Sequence, residues 1–353
     1  MILNLSRLGG NGTGMWQYSI KFLDCLHEIG NLDAIICPKM HADFLKKYNC
    51  ELIIVPDFVS NTTDISKIRP ILWLVYSYYL SIKLIIRYYN KDIISTTHHF
   101  LPFISNQVIT VHDLRPYFHP DSFLQKILFR FLMKSKIRKI KHVITVSNVV
   151  KEKIVEVYNV SNNNISVIYN SINSSEFHQS YTKKKYLLSV GGNWKHKNIH
   201  KLLENHISWS ADYYLIIVCS QTSYTNYLKE LSKTLGIQDK VEFRHNIQFN
   251  DLKELYAYTS ALVYPSIDEG FGIPPLEAFA SLSPAIVSDI PVFHEVLKDN
   301  AIYVNPDLKE SWDSALNLVS NLEANYLDKL ILYANVYNLK NMKEMVLNFS
   351  KKL

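Results

Sequence analysis

The sequence predicts an α/β protein of two doubly wound domains, each a parallel sheet covered by helices on both faces. Three observations predict it. The 353 residues exceed what one ordinary core needs. Short β-branched runs alternate with amphipathic stretches along the chain, the order expected when helical crossovers link the strands. The strand runs are near-continuously apolar instead of alternating, as in parallel strands buried on both faces.

Taken in order, "MILNL" reads as a first buried strand, because it lacks the long apolar core and cleavage site of a signal peptide. "LDAIICP", "CELIIVP", "DIISTT", "QVITVHD", "HVITVS" and "ISVIYN" supply the other strands of the first half. "YLLSVG", "YYLIIVCS", "KVEFRH", "ALVYPS" and "PAIVSD" supply those of the second. Helices are expected over 13–29, 121–140, 147–158, 198–206, 223–236, 250–259 and 274–281. The polar run 170–185 lacks apolar periodicity and marks the linker. The domains are therefore 1–170 and 171–334, both Rossmann-like, with a final helix at about 335–353 that is a candidate to pack back on the first. In such sheets ligands sit beyond the carboxyl ends of the strands, so a cleft between the two domains is the expected site.

Composition excludes several classes. At 48% hydrophobic and 20% charged, the chain is globular. Its four cysteines have neither disulfide nor metal-site spacing, and reduced thiols in a cytoplasmic protein are expected. The apolar stretch 71–89 holds only 12 residues before Lys83, whereas a bilayer core needs about 20, so it does not span. Residues 1–170 carry 20 Lys and Arg against 12 Asp and Glu, and residues 171–353 carry 18 against 20. The basic excess concentrates in 134–142 and fits anionic lipid or phosphate, or a solvated helix face. Nucleic acid is not expected, since no reader motif or interleaved aromatics accompany it.

Four loops carry candidate chemistry. "SRLGGNGTGMW" places Gly9, Gly10, Gly12 and Gly14 between the first strand and first helix, where backbone N–H groups approach an anion or simply make a tight turn. It is not a dinucleotide fingerprint, because the third glycine is replaced by Met15 or Gln17, depending on register. His112 and Asp113 follow a strand directly; Asp113 alone is also explained as a turn cap. Gly191 and Gly192 end another strand before Lys195, His196 and Lys197, with Asn198 as the expected N-cap of the next helix. "IDEGFGIPPLEA" follows the strand "SALVYPS". Its Pro274 and Pro275 suit a helix start, and Glu277 is expected in the first helical turn, where the helix dipole favours a carboxylate. That leaves Glu269 unexplained. Two carboxylates flanking a turn with N–H groups at residues 271–273 suit a sugar nucleotide, with phosphate on the turn and hydroxyls on the glutamates.

The pair Glu269-x7-Glu277 resembles the donor motif of retaining GT-B glycosyltransferases of family 4. "GGNGTG", "VHDL", "ITVSNVVKEKI", "ISVIYNSIN", "SVGGNWKHKN" and "AIVSDIPVFHEV" resemble other segments of that family over nearly the whole chain. The resemblance implies a GT-B fold and transfer of a hexose, mannose favoured, from a GDP or UDP sugar to a lipid-linked saccharide in O-antigen assembly. It implies catalytic roles for His112 and Glu269. Donor contacts would come from Gly191, Lys195, Lys197, Gly270, Phe271, Gly272, Ile273 and Glu277, and the acceptor side from Gly10, Gly12, Thr13, Gly14 and Asp113.

Neither metal nor cofactor is expected: no Asp-x-Asp clasp exists, so lysines and helix N–H groups must meet the leaving diphosphate. The implied location is the inner face of the cytoplasmic membrane, held peripherally. Front-face departure and a Glu269 nucleophile both remain open. Other classes sharing this architecture are a nonhydrolysing epimerase, a phosphorylase, and an inactive sugar- or nucleotide-binding protein. The chain departs from the family at Gly192, where many members carry Arg, and at Leu282, where many end the motif helix with Gly.

Overall fold

A computed structural model describes residues 1–10, 13–60, 69–120 and 123–353. Two compact units emerge: residues 1–171 with 339–353, and residues 172–338.

The first unit holds a seven-stranded sheet in the order β3-β2-β1-β4-β5-β6-β7, parallel throughout. Its strands are β1 (Ile2–Asn4), β2 (Ala34–Pro38), β3 (Glu51–Val55), β4 (Ile93–Ser95), β5 (Gln107–Val111), β6 (His142–Thr145) and β7 (Ile165–Val167). The second unit holds six parallel strands in the order β10-β9-β8-β11-β12-β13. These are β8 (Lys184–Val190), β9 (Tyr214–Val218), β10 (Val241–Arg244), β11 (Thr259–Tyr264), β12 (Ala285–Ser288) and β13 (Ile302–Val304). Every residue of β5 and β12 is buried, as parallel strands between helical layers require.

Strand order reverses between β1 and β4 in one sheet and between β8 and β11 in the other. The chain leaves these strand pairs in opposite directions across the sheet, which opens a crevice beyond their carboxyl ends. Into those crevices the sequence delivers residues 5–10 and 96–99 in the first unit, and 191–197 and 265–272 in the second.

The helix Gly14–Ile29 is capped by Thr13, whose Oγ1 accepts from Trp16 N at 3.2 Å, and ends at Gly30 in the left-handed conformation. Its buried face packs against the helix Leu339–Ser350, which belongs to the first unit. In the second unit Trp209 and Trp312 are fully buried in the core, and each indole N–H donates to a backbone carbonyl, Leu202 O at 2.9 Å and Pro306 O at 3.1 Å.

Several expectations needed correction. The helix expected over 121–140 is a helix at Phe123–Ile127, a wide π-helical stretch at Leu128–Met133, then short turns to Lys139; residues 121 and 122 lie outside the described set. Asn198 caps nothing with its side chain. It takes φ 59°, turning the chain out of the Lys195–Lys197 turn and into the helix Ile199–Glu204. The segment 71–89 forms most of the helix Arg69–Arg87, and it is apolar on two sides. Trp73, Leu80 and Leu84 enter the core, while Ile71, Leu74, Val75, Tyr79, Ile82 and Ile86 face outward.

Candidate functional site

The second unit gathers its working groups at the reversal between β8 and β11. Strand β8 is followed by Gly191 with φ 82°, a left-handed conformation that turns the chain out of the strand. Gly192 follows, at a position with little room for a side chain. A Cβ there would stand 2.8 Å from Ile199 Cδ1 and 2.9 Å from Ile217 Cγ2. The Lys195–Lys197 turn then aims Lys197 inward and leaves Lys195 exposed. The N–H of Ile267 donates to His196 O at 2.9 Å, which ties this loop to the one after β11.

Lys197 Nζ donates to Glu269 Oε1 at 2.6 Å and to Tyr264 Oη at 2.5 Å, and it lies 4.7 Å from the centre of the Tyr264 ring. Both charged side chains are mostly buried, Lys197 at 15% and Glu269 at 13% exposure. Burial would raise the Glu269 carboxyl, but the charge and hydrogen bond of Lys197, with smaller help from Ser266 and His196, together hold the group below the usual carboxylate range. Burial would likewise lower Lys197, and Glu269 and Tyr264 together reverse that, so the lysine stays above its ordinary range. Burial first, then the charge of Glu269, keeps the Tyr264 phenol protonated. The result is a fixed cation and a fixed anion in contact, buried at the strand ends.

Past Glu269 the turn narrows. Phe271 is buried edge-on against Tyr337 at 5.4 Å. Gly272 has φ 93°, and a Cβ on it would meet Phe293 Cε1 at 2.7 Å. The helix Ile273–Ala280 starts there, with prolines in its first turn as expected. Glu277 is its fifth residue and not in that turn, which corrects the dipole account of this carboxylate. It is 6% exposed, and Tyr256 Oη donates to its Oε2 at 2.7 Å. Leu282 takes φ 57° after the helix, the conformation a glycine would adopt more easily.

In the first unit the crevice between β1 and β4 holds imidazoles. His98 and His99 stack at 4.4 Å, and Arg7 Nε donates to His99 Nε2 at 3.3 Å. His112, just beyond β5, is within hydrogen-bond distance of Thr96 O through Nε2 at 2.9 Å and meets the Tyr18 ring edge-on at 4.8 Å. Burial lowers His112, and the bond to Thr96 offsets part of the effect. Burial, with His112 and Arg7 nearby, pushes His98 down to about 4. Asp113 Oδ1 accepts from Arg115 N at 3.0 Å, as a turn cap does. Gly10 is exposed, Thr13 Oγ1 donates to its carbonyl at 3.2 Å, and Gly14 opens the first helix. Gly12 lies outside the described residues.

Sequence reasoning did not find Tyr264, Tyr256, Arg7, His98 or His99. The tyrosines carried no signal in the sequence beyond their hydroxyls.

Residues 170–337 match the family model for glycosyl transferases group 1, and residues 30–176 match that for glycosyltransferase family 4. The O-antigen chain mannosyltransferase RfbU of Salmonella typhimurium is 53% identical over 349 residues, 99% of both chains. Among solved structures, a glycosyltransferase from Rickettsia africae aligns with TM-score 0.70 at 19% identity over 99% of this chain and 97% of its own. The Anabaena protein Alr3699/HepE, solved with UDP and glucose, aligns with TM-score 0.75 at 14% identity over 100% and 99%.

Proposed function

The chain belongs to the group 1, family 4 glycosyltransferases, and from that premise we propose that it transfers a hexose, mannose favoured, from a GDP or UDP sugar to a lipid-linked saccharide during O-antigen assembly. The observation that carries the donor assignment is the buried contact of Lys197 with Glu269 and Tyr264 at the strand reversal. A mostly buried, fixed ammonium suits a diphosphate, and a fixed carboxylate beside it suits the hydroxyls or the reacting carbon of the attached sugar.

In this reading Lys197, with exposed Lys195 at the rim, takes the diphosphate, while Gly270, Phe271, Gly272 and Ile273 line the turn that faces it. Glu277 accepts from the ribose. Glu269 and His112 are assigned to the transferred sugar, and the Gly10–Gly14 loop with Asp113 to the acceptor side. The bond from the anomeric carbon to the diphosphate oxygen breaks, and the acceptor oxygen bonds that carbon on the same face. The acceptor proton passes to the departing diphosphate. Lysine and N–H groups meet the charge that develops, without a metal. A transfer assay with GDP-mannose and UDP sugars, with and without EDTA, tests this. Turnover with one donor, retained in EDTA and lost in Glu269→Ala, is the expected result; donor use abolished by EDTA would remove the metal-free mechanism.

The acceptor's lipid also gives meaning to the outward stripe of the helix Arg69–Arg87. No helix among the described residues is long and apolar enough to cross a membrane. A row of Ile71, Val75, Tyr79, Ile82 and Ile86 open to solvent is suited to lie on a bilayer surface, with the basic run 134–142 in the same unit drawing on anionic headgroups. Sedimentation with anionic vesicles at low salt, and release at high salt, is expected. Protein that stays in the supernatant at low salt would overturn the membrane assignment.

A further inference from the structure

Glu277 stands in the second turn of its helix, where the helix N-terminus no longer orients it. What orients it is a neighbouring helix. Tyr256 belongs to the helix Phe249–Tyr258, is completely buried, and places its Oη 2.7 Å from Glu277 Oε2. Burial first, and then the charge of Glu277, keep this phenol well above its ordinary range, so it remains a donor.

The backbone that carries Tyr256 is anchored as well. Ser283 Oγ donates to Tyr256 O at 2.6 Å, and the same Oγ accepts from Lys183 Nζ at 2.7 Å. Lys183 Nζ also donates to Ala257 O at 2.8 Å. The N–H of Ser283 donates to Ala278 O at 2.9 Å, in the Glu277 helix. One serine thus joins the ends of both helices, and Phe177 meets the Tyr256 ring edge-on at 6.2 Å. The phenol therefore reaches the carboxylate from a platform with few alternative positions.

We infer that Tyr256 is a positioning residue for Glu277, holding one carboxylate oxygen so that the group meets the ribose hydroxyls of the nucleoside diphosphate in a single orientation. This rests on the assignment of Glu277 to the ribose. A carboxylate already fixed before the ligand arrives loses little rotamer freedom on binding, so the effect belongs to donor affinity and ribose recognition, not to the chemical step. Ser283 and Lys183 act one step further back, through the tyrosine.

The test measures dissociation constants for GDP and UDP and for their 2′-deoxy and 3′-deoxy analogues. Wild type, Tyr256→Phe and Glu277→Ala are compared, together with KM and kcat for the donor. In Tyr256→Phe the preference for the ribonucleotide should fall about tenfold, the scale of one hydrogen bond to a charged group. KM should rise while kcat changes by less than about threefold. A preference lost in Glu277→Ala but unchanged in Tyr256→Phe overturns the inference and leaves the ribose assignment intact. A preference unchanged in Glu277→Ala overturns that assignment, and the inference with it. Should Tyr256→Phe fail to fold, Ser283→Ala carries the test: a partial loss of the preference supports the inference and an unchanged one overturns it.

Discussion

The two units expose the same part of the same kind of sheet, yet they handle buried polar groups in opposite ways. At the β1–β4 reversal the first unit sets one guanidinium, Arg7, against His99 in a stack with His98, imidazoles that burial keeps neutral. At the β8–β11 reversal the second unit keeps both its groups charged and sets them in contact. Withdrawing a charge from water is costly, and either discharging the group or pairing it reduces that cost. Under the proposed function the difference suits two tasks, neutral rings for saccharide hydroxyls and a fixed cation for diphosphate.

Breaking the pair should have the largest effect. Lys197→Ala leaves Glu269 buried without its cation and should cost about 3–5 kcal/mol, with transfer abolished. The double change Lys197→Met with Glu269→Gln should recover much of the stability, read by denaturant melts, and none of the activity. If the single change is harmless to stability, the pair is not the fixed element described. Next in size are the ligand effects. Glu277→Ala should weaken nucleoside diphosphate binding by on the order of tenfold, whereas Glu269→Ala should cut turnover more than affinity. Calorimetry beside steady-state kinetics separates the two.

The loop geometry gives a smaller and purely structural test. Gly192→Ala forces a methyl against Ile199 and Ile217 and should cost about 1–3 kcal/mol. A neutral result would mean the two isoleucines yield freely. Smallest, and specific to the first unit, is acid sensitivity. His98 titrates at about 4 in the fold and near 6.5 when unfolded, so the unfolded chain binds more protons between those values. Stability from this group is complete above 6.5 and declines as pH falls toward 4. Thermal melts across that range should show the decline, and His98→Asn should flatten part of it. Glu269→Gln should change only its acid end, because that carboxyl is held below the usual range in the fold and binds protons in the unfolded chain only as pH falls into the ordinary carboxylate range.

The strands were legible because a buried parallel strand writes itself as an uninterrupted apolar run; "QVITV" and "AIVS" needed no context. Strand β13, Ile302–Val304, was not read. The two glutamates and Lys197 stood out as charges amid glycine, proline and apolar residues. Tyr256 and Tyr264 did not, since a buried phenol looks like core filling until its partner is known. Those partners lie 21 and 67 residues away in sequence. The position of Glu277 was misjudged by one step along the helix, because Gly272, with φ 93°, lets the helix begin at Ile273, ahead of both prolines.

The helix Leu339–Ser350 has a consequence for how the chain is made. It packs on the helix Gly14–Ile29, ties Lys343 to Glu28, and places Met342 Sδ 3.3 Å from Ser171 Oγ. The ribosome produces it only after all of residues 172–338. The first unit therefore waits, with part of its first helix uncovered, while a complete second unit emerges and folds behind it. At about 5–20 residues per second, that interval is roughly 10–30 seconds. During that time the uncovered face is open to chaperones or to other nascent chains, so the rate of synthesis sets how long it stays exposed.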